Sequence, residues 1–436
     1  MRTFLFFLTL LITTGAFAQE DPSKAYKKAS RELGNYNLDQ IANRAQLDEA
    51  KTNIDFASSM EPTSTQAQTW ITKGEIYNEL CNRDLRELMT NPKHKIQYPD
   101  AAKIGNEAFN KAMTLTPKKW EVKDALKGLF ENAGHMNNYA AGMYAAQQYT
   151  NAYSGFSGLL NTHETLKANG QKSPLENDEK TLGDTRFATA MSALNANMPE
   201  KALPYFEQLY KDQYNAPEIY SALYELTSGK DMNASLQYLE AGRKKFPEDI
   251  GLLYTEINYY LKVNKTDVLI DKLKLAIEKE PANVSLYSTL GNVYDNLFQK
   301  EKDATKKADY LKNAEANYTK AIEMKPDYTD AIYSMGTIYF NQAAEMTKEL
   351  NAMPDDFSAA GQKKYDKKKS ETDEMFKKSL PYFEKVESID PNDKNTLIAL
   401  KEIYARLSNL QVSNEFKKRI EILEKGGKND SSYFKK

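Results

Sequence analysis

Along most of this chain apolar residues recur at steps of three and four with charged residues between them, the spacing of helices that bury one face. Four such amphipathic runs end at a proline: Pro247, Pro281, Pro326 and Pro391, as in AIEKEP, AIEMKP and VESIDP. Proline lacks a backbone donor and biases the residue before it away from helical geometry, so each of the four closes a helix. The intervals between them are 34, 45 and 65 residues. Alternation of the period-two kind is nearly absent, which leaves a Rossmann-like or barrel domain nowhere to reside.

Within those intervals the chain repeats itself. LYSTLGNVYDNL (286–297) is followed by AIYSMGTIYFNQ (331–342), and Gly291 and Gly336 each lie ten residues after a proline. The first helix of one unit therefore carries Tyr287, Leu290, Gly291 and Tyr294, and that of the next Tyr333, Met335, Gly336 and Tyr339. The second helix of the former unit reads Ala314, Tyr318, Ala321 and then Pro326, small residues alternating with an aromatic one on a single face. A lone helical hairpin cannot bury such a face, and stacked hairpins can. Trp70, Gly74 and Tyr77 repeat the first half nearer the N-terminus, and Gly105, Phe109, Ala112 and Pro117 the second.

These residues resemble the tetratricopeptide repeat family, whose period is about 34 residues. Lys73 stands where that pattern has leucine. Weaker units fit the spacing without the glycine, as in Ala50, Ile54, Ala57 and Pro62, and about nine helical pairs are expected between Ser23 and Lys425. The predicted fold is all-α, an α-solenoid of stacked antiparallel helix pairs. A first block covers 19–155, the Gly-, Ser- and Asn-rich stretch 156–183 reads as a connecting loop, a second block covers 184–425, and 426–436 reads as a flexible tail. Gly291 to Pro326 spans 35 residues and Gly336 to Pro391 spans 55, against about 24 in the family pattern. The surplus in the second case predicts a long helical hairpin at about 344–378, turning around Pro354, and Asn91 to His94 is expected to turn a similar extension. Such hairpins either lengthen the packed helices or provide a surface for docking or self-association.

Arg2, the apolar run from Phe4 to Ile12 and the ending Ala16-Phe17-Ala18 read as a secretory signal peptide over 1–18, with Gln19 as the first mature residue. No later stretch has the roughly 20 apolar residues of a membrane-spanning helix. The sole cysteine, Cys81, excludes an internal disulfide and lies too far downstream for a lipid anchor. Basic side chains number 59 and acidic ones 61, a formal net charge of −2 that offers no footprint for nucleic acid.

Catalytic machinery is not indicated. The three histidines, His94, His135 and His163, do not share the spacing that places metal ligands on one helix face. Gly155-Phe156-Ser157-Gly158 lacks the spacing and the preceding strand of a nucleophile elbow. No cofactor or metal is expected. Tyr139, Tyr144, Tyr149 and Tyr153 lie among Ala and Gly in one stretch, as tight helix packing or an aromatic wall would require.

The resemblance implies that the first helix of each pair lines a concave face where an extended peptide binds. On this chain that face would carry Asn292, Asp295, Asn296, Tyr333, Thr337, Phe340 and Asn341. The family's carboxylate clamp surrounds an Asn with basic residues. Here Asn292 has Ser288 beside it, while Ile398 and Glu402 replace the basic pair, so the clamp is expected to be absent. The implied role is a non-enzymatic scaffold or adaptor that binds a protein or peptide partner in the bacterial envelope, most readily the periplasm, similar to exported tetratricopeptide proteins of Bacteroidota. The alternative is a protein that captures glycan or peptide for an outer-membrane transporter.

Overall fold

The structure, a computed structural model, describes residues 21–91, 93–176 and 179–435. The predicted signal peptide lies outside them, as does Pro92 of the turn expected after Asn91. Among the described residues there are eighteen α-helices and no strand, and the chain divides into two compact units, Met1–Tyr238 and Leu239–Lys436.

In the first unit α1 (Pro22–Leu38) packs on α2 (Arg44–Ser59), α3 (Ala67–Thr90) on α4 (Ala101–Met113), α5 (Lys119–Ala145) on α6 (Tyr149–Ala168), and α7 (Glu179–Asn195) on α8 (Pro199–Lys211). Next come α9 (Glu218–Thr227) and α10 (Met232–Lys245), joined by the hydroxyls of Thr227 and Ser235, 2.7 Å apart. The second unit pairs α11 (Ile250–Val263) with α12 (Thr266–Lys279), α13 (Val284–Lys300) with α14 (Ala304–Met324), α15 (Thr329–Asn351) with α16 (Ala359–Ile389), and α17 (Lys394–Arg406) with α18 (Leu410–Glu424). Within each unit the pairs stack, α2 on α3 and α4 on α5 in the first, α12 on α13, α14 on α15 and α16 on α17 in the second. The fold is all-α, built from stacked helical hairpins.

The packing explains the repeated glycines. A Cβ on Gly74 would fall 2.6 Å from the ring of Phe109, one on Gly291 2.7 Å from Tyr318, and one on Gly336 3.2 Å from Phe383. In each pair the glycine of the first helix is the floor on which the aromatic ring of the second lies. Tyr318 is fully buried among Leu290, Ala314, Ala321 and Ile338, and its hydroxyl donates to Asn292 Oδ1 at 2.6 Å. Replacing Gly291 with valine forces that ring out of its seat, and overpacking of this kind costs about 1–3 kcal/mol. A denaturation midpoint for the Gly291→Val variant as high as that of the unaltered protein would show that the ring has room to move.

Two expectations are corrected here. The loop predicted over 156–183 is helical at both ends. Residues 156–168 continue α6, and α7 begins at Glu179. Gly158 serves close approach instead, since a Cβ there would lie 2.8 Å from Met136, as does Gly155 just before it, where a Cβ would lie 2.7 Å from that of Ala140. The connection is confined to the residues between Ala168 and Glu179. It does not separate two blocks, because α6 packs directly on α7. The division into compact units falls inside α10.

The tail expected to be flexible from 426 is bound through 435. Gly426, with φ +79°, turns the chain out of α18. Asn429 exchanges hydrogen bonds with Asn392. Glu387, fully buried in α16, accepts from the Ser432 hydroxyl, from the Tyr433 amide at 2.8 Å and from Arg419 at 3.2 Å. Tyr433 and Phe434 then lie against Phe416, with ring centroids 5.3 and 5.7 Å away. A buried carboxylate needs its partners, and this segment supplies two of them.

Candidate functional site

Asn292 on α13 and Tyr333 on α15 open into one concavity of about 430 Å³ in the second unit. Its remaining wall comes from Asp330 and Ser334 of α15, Val386 and Asp390 at the end of α16, and Asp393 and Asn395 at the start of α17. Three successive first helices thus contribute to it. Tyr333 is held edge-on against Phe383, centroids 5.5 Å apart. Burial raises its hydroxyl pKa, and the Asp393 carboxylate adds to the shift. Asn292 Oδ1 receives Tyr318 and, at 3.4 Å, the Ser334 hydroxyl, and among the described residues its amide nitrogen has no acceptor.

Other residues of the predicted face are placed differently. Phe340 is half-buried and does not line this concavity; it packs edge-on against Phe376 at 5.6 Å and Phe383 at 6.2 Å, against the last core cluster. Thr337 returns its hydroxyl to the Tyr333 carbonyl at 2.9 Å. Asp295 is half-buried, and burial raises its carboxyl pKa while Gln299 donates to it at 3.2 Å. Asn296 is exposed and Asn341 half-buried. Glu402, in one place where a clamp would need a cation, is held by Arg406 of its own helix at 2.8 Å.

Sequence reasoning missed the three carboxylates, Asp330, Asp390 and Asp393. They sit at helix ends rather than on the apolar periodic face, so hydrophobic periodicity passes over them. Asp393 caps α17 by accepting from the Thr396 amide at 2.7 Å, and Asp330 lies in the first turn of α15, where the helix dipole favours an anion. Asp390 lies at the C-terminal end of α16, where the dipole opposes it. None of the three is ion-paired among the described residues. The concavity therefore offers negative charge, amide groups and one aromatic edge, a set suited to a basic side chain on an extended backbone.

Among the described residues no group of three His, Cys, Asp or Glu side chains is placed to hold a metal ion, and no helix is long and apolar enough to cross a membrane. Burial pushes the Cys81 thiol up to about 12, so it is a protonated packing residue at neutral pH. In the tyrosine-rich stretch Tyr139 is buried and donates to Asp100 at 3.2 Å, while Tyr144 and Tyr149, both half-buried, meet edge-on at 5.3 Å.

Stacked helical hairpins with a concavity built from successive first helices define an all-α repeat protein. The chain matches no protein-family model and no curated protein. Solved structures similar to it include MamA from Desulfovibrio magneticus RS-1, at 15% identity and TM-score 0.31 over 44% of this chain and 94% of that one. YrrB, described as a TPR protein with an unusual peptide-binding site, gives 13% and 0.34 over 52% and 98%. A TPR repeats protein (BF2334) from Bacteroides fragilis NCTC 9343 gives 20% and 0.26 over 63% and 98%. These superpositions are partial, and the fold assignment rests on the helix pairs described above.

Proposed function

We propose that this chain is an exported, non-enzymatic scaffold of the bacterial envelope, and that the acidic concavity of its second unit receives a basic segment of a protein partner. The observation that carries the reading is the convergence of Asn292, Tyr333, Asp330 and Asp390 from three helices on one open cavity. The signal-peptide pattern before Gln19 supports export, and N-terminal sequencing of the protein recovered from cells tests it: retention of Met1 to Ala18 would remove the envelope from the proposal. An array of rigid hairpins suits binding by preorganisation, since little ordering entropy is left to lose.

The binding test is capture of the partner by the tagged mature protein, with native mass spectrometry of the complex. A variant carrying Asp330→Lys and Asp390→Lys is expected to recover at least about tenfold less partner, a loss that corresponds to about 1.4 kcal/mol. Equal recovery by the unaltered protein and the variant would place the partner elsewhere. Added mass of a few hundred daltons, as from a glycan, would instead support the capture role.

A further inference from the structure

The first unit holds a second concavity, of about 820 Å³, whose charge is the opposite of the first. It runs along the N-terminal half of α5 and past the end of α6. The floor is apolar: Leu126 and Leu166 are 6% and 1% exposed, with Val122 beside them and Phe130, 49% exposed, at one end. The rim carries Lys119, Lys123, Lys127 and Lys172. The first three follow one another at four-residue steps and so form a single row on α5. Against them stands Glu131, which pairs with Lys127 at 3.7 Å on the exposed surface. Lys119, Lys123 and Lys172 make no ion pair among the described residues.

Helix stability does not account for this row. Lys119 opens α5, at the positive end of its dipole, where a cation is disfavoured. Lys119, Lys123 and Lys127 also repel one another along the row. Lysines held there against both effects, around an apolar floor, raise the local concentration of an anionic partner and then offer it a place to bury a large apolar side chain.

We infer that the α5–α6 groove docks an acidic protein segment in which Asp or Glu residues flank a leucine or phenylalanine. The aliphatic stems of the lysines cover the flanks of the inserted side chain while their ammonium groups meet the carboxylates. An anionic membrane would answer the same charge, but a bilayer needs an apolar surface that protrudes, and here the floor residues Leu126 and Leu166 are recessed and Phe130 alone of the lining side chains presents an exposed ring. The inference concerns a site separate from the acidic concavity and stands or falls apart from it.

The test is selection of short random peptides displayed on phage against the immobilised full mature chain, followed by fluorescence anisotropy of the enriched sequences. Enriched peptides are expected to carry acidic residues beside Leu or Phe. Their affinity should fall at least about tenfold in the variant Lys119→Glu, Lys123→Glu, Lys172→Glu, and in the milder variant with glutamine at the same three positions. All three lysines are exposed, and circular dichroism checks that both variants keep their helix content. Enrichment of neutral or basic peptides, or equal binding to the reversed variant, overturns the inference. Lysine-dependent flotation with phosphatidylglycerol vesicles in the absence of any acidic peptide overturns it in favour of a membrane surface.

Discussion

Replacing Phe109 with alanine is expected to cost the first unit about 3–5 kcal/mol, the range for deleting a buried phenylalanine. The ring is fully buried and lies between two glycines from different helices. A Cβ on Gly74 would stand 2.6 Å from it, and one on Gly128 2.2 Å. Phe109 is therefore the wedge that joins α3, α4 and α5, packed with Ile71, Ala112, Ala125 and Leu129. Relaxation into the cavity is limited because the helices that would have to close it are held by a buried amide ladder. Asn132 donates to Asn78 at 2.8 Å and to the Ala102 carbonyl at 3.0 Å, while Asn106 donates to Asn132 at 3.1 Å and to Thr162 at 2.8 Å. Hydrogen exchange across α3 to α5, which reads local opening directly, should accelerate more in Phe109→Ala than anywhere in the second unit. The control is Phe357→Ala, a ring 92% exposed in the turn between α15 and α16, expected to move stability by no more than about 0.5 kcal/mol. Equal effects of the two substitutions would show that the wedge does not carry the stack.

The second large effect is expected at Glu387. Removing one partner of a buried ion pair costs about 3–5 kcal/mol because the other charge is stranded. In Glu387→Leu the partner left behind is Arg419, 13% exposed at its side chain, which retains a single further carboxylate, Glu415 at 3.6 Å. The same substitution deletes the acceptors of the Ser432 hydroxyl and the Tyr433 amide, so the segment after Gly426 should lift from Phe416. Limited proteolysis would show this as early cleavage between Lys428 and Lys435, with the helices of the second unit intact. A terminal segment as resistant in the variant as in the unaltered protein would mean that Asn392, Phe416 and Arg419, which donates to the Ser431 carbonyl at 2.8 Å, hold it without the carboxylate.

Both sites bear on how far the sequence could be read. Phe109 was legible, because Gly74, Phe109 and Pro117 repeat a pattern visible elsewhere in the chain, and a wedge between glycines leaves a fixed spacing. Glu387 was not, because a glutamate on an amphipathic helix reads as solvated by default. Its burial depends on a segment some 45 residues away returning to it, as the Ser432 contact does. The misread stretch 156–168 failed for the opposite reason. Gly158 and Asn161 have the composition of a loop, but small residues also let α6 approach α5 closely, and composition does not distinguish the two. At the candidate site Asn292 and Tyr333 occupy periodic positions of first helices and so stand out in the sequence, whereas Asp330, Asp390 and Asp393 sit at helix ends that no period marks, and Phe340, half-buried against α16, lies outside the concavity.

Local and repetitive information was therefore determined by the sequence alone. Helix content follows from the three- and four-residue steps, helix ends from the prolines, and pairing from glycine set against an aromatic ring. These depend on interactions within one hairpin or between neighbours, whose separations are short and recur. What only the tertiary structure decided is where long-range contacts add or remove exposure: the buried carboxylate beneath the terminal segment, the division into units inside α10, and the two concavities of opposite charge. Each of those joins residues whose spacing follows no period, so burial and charge there are set by which helices meet in space.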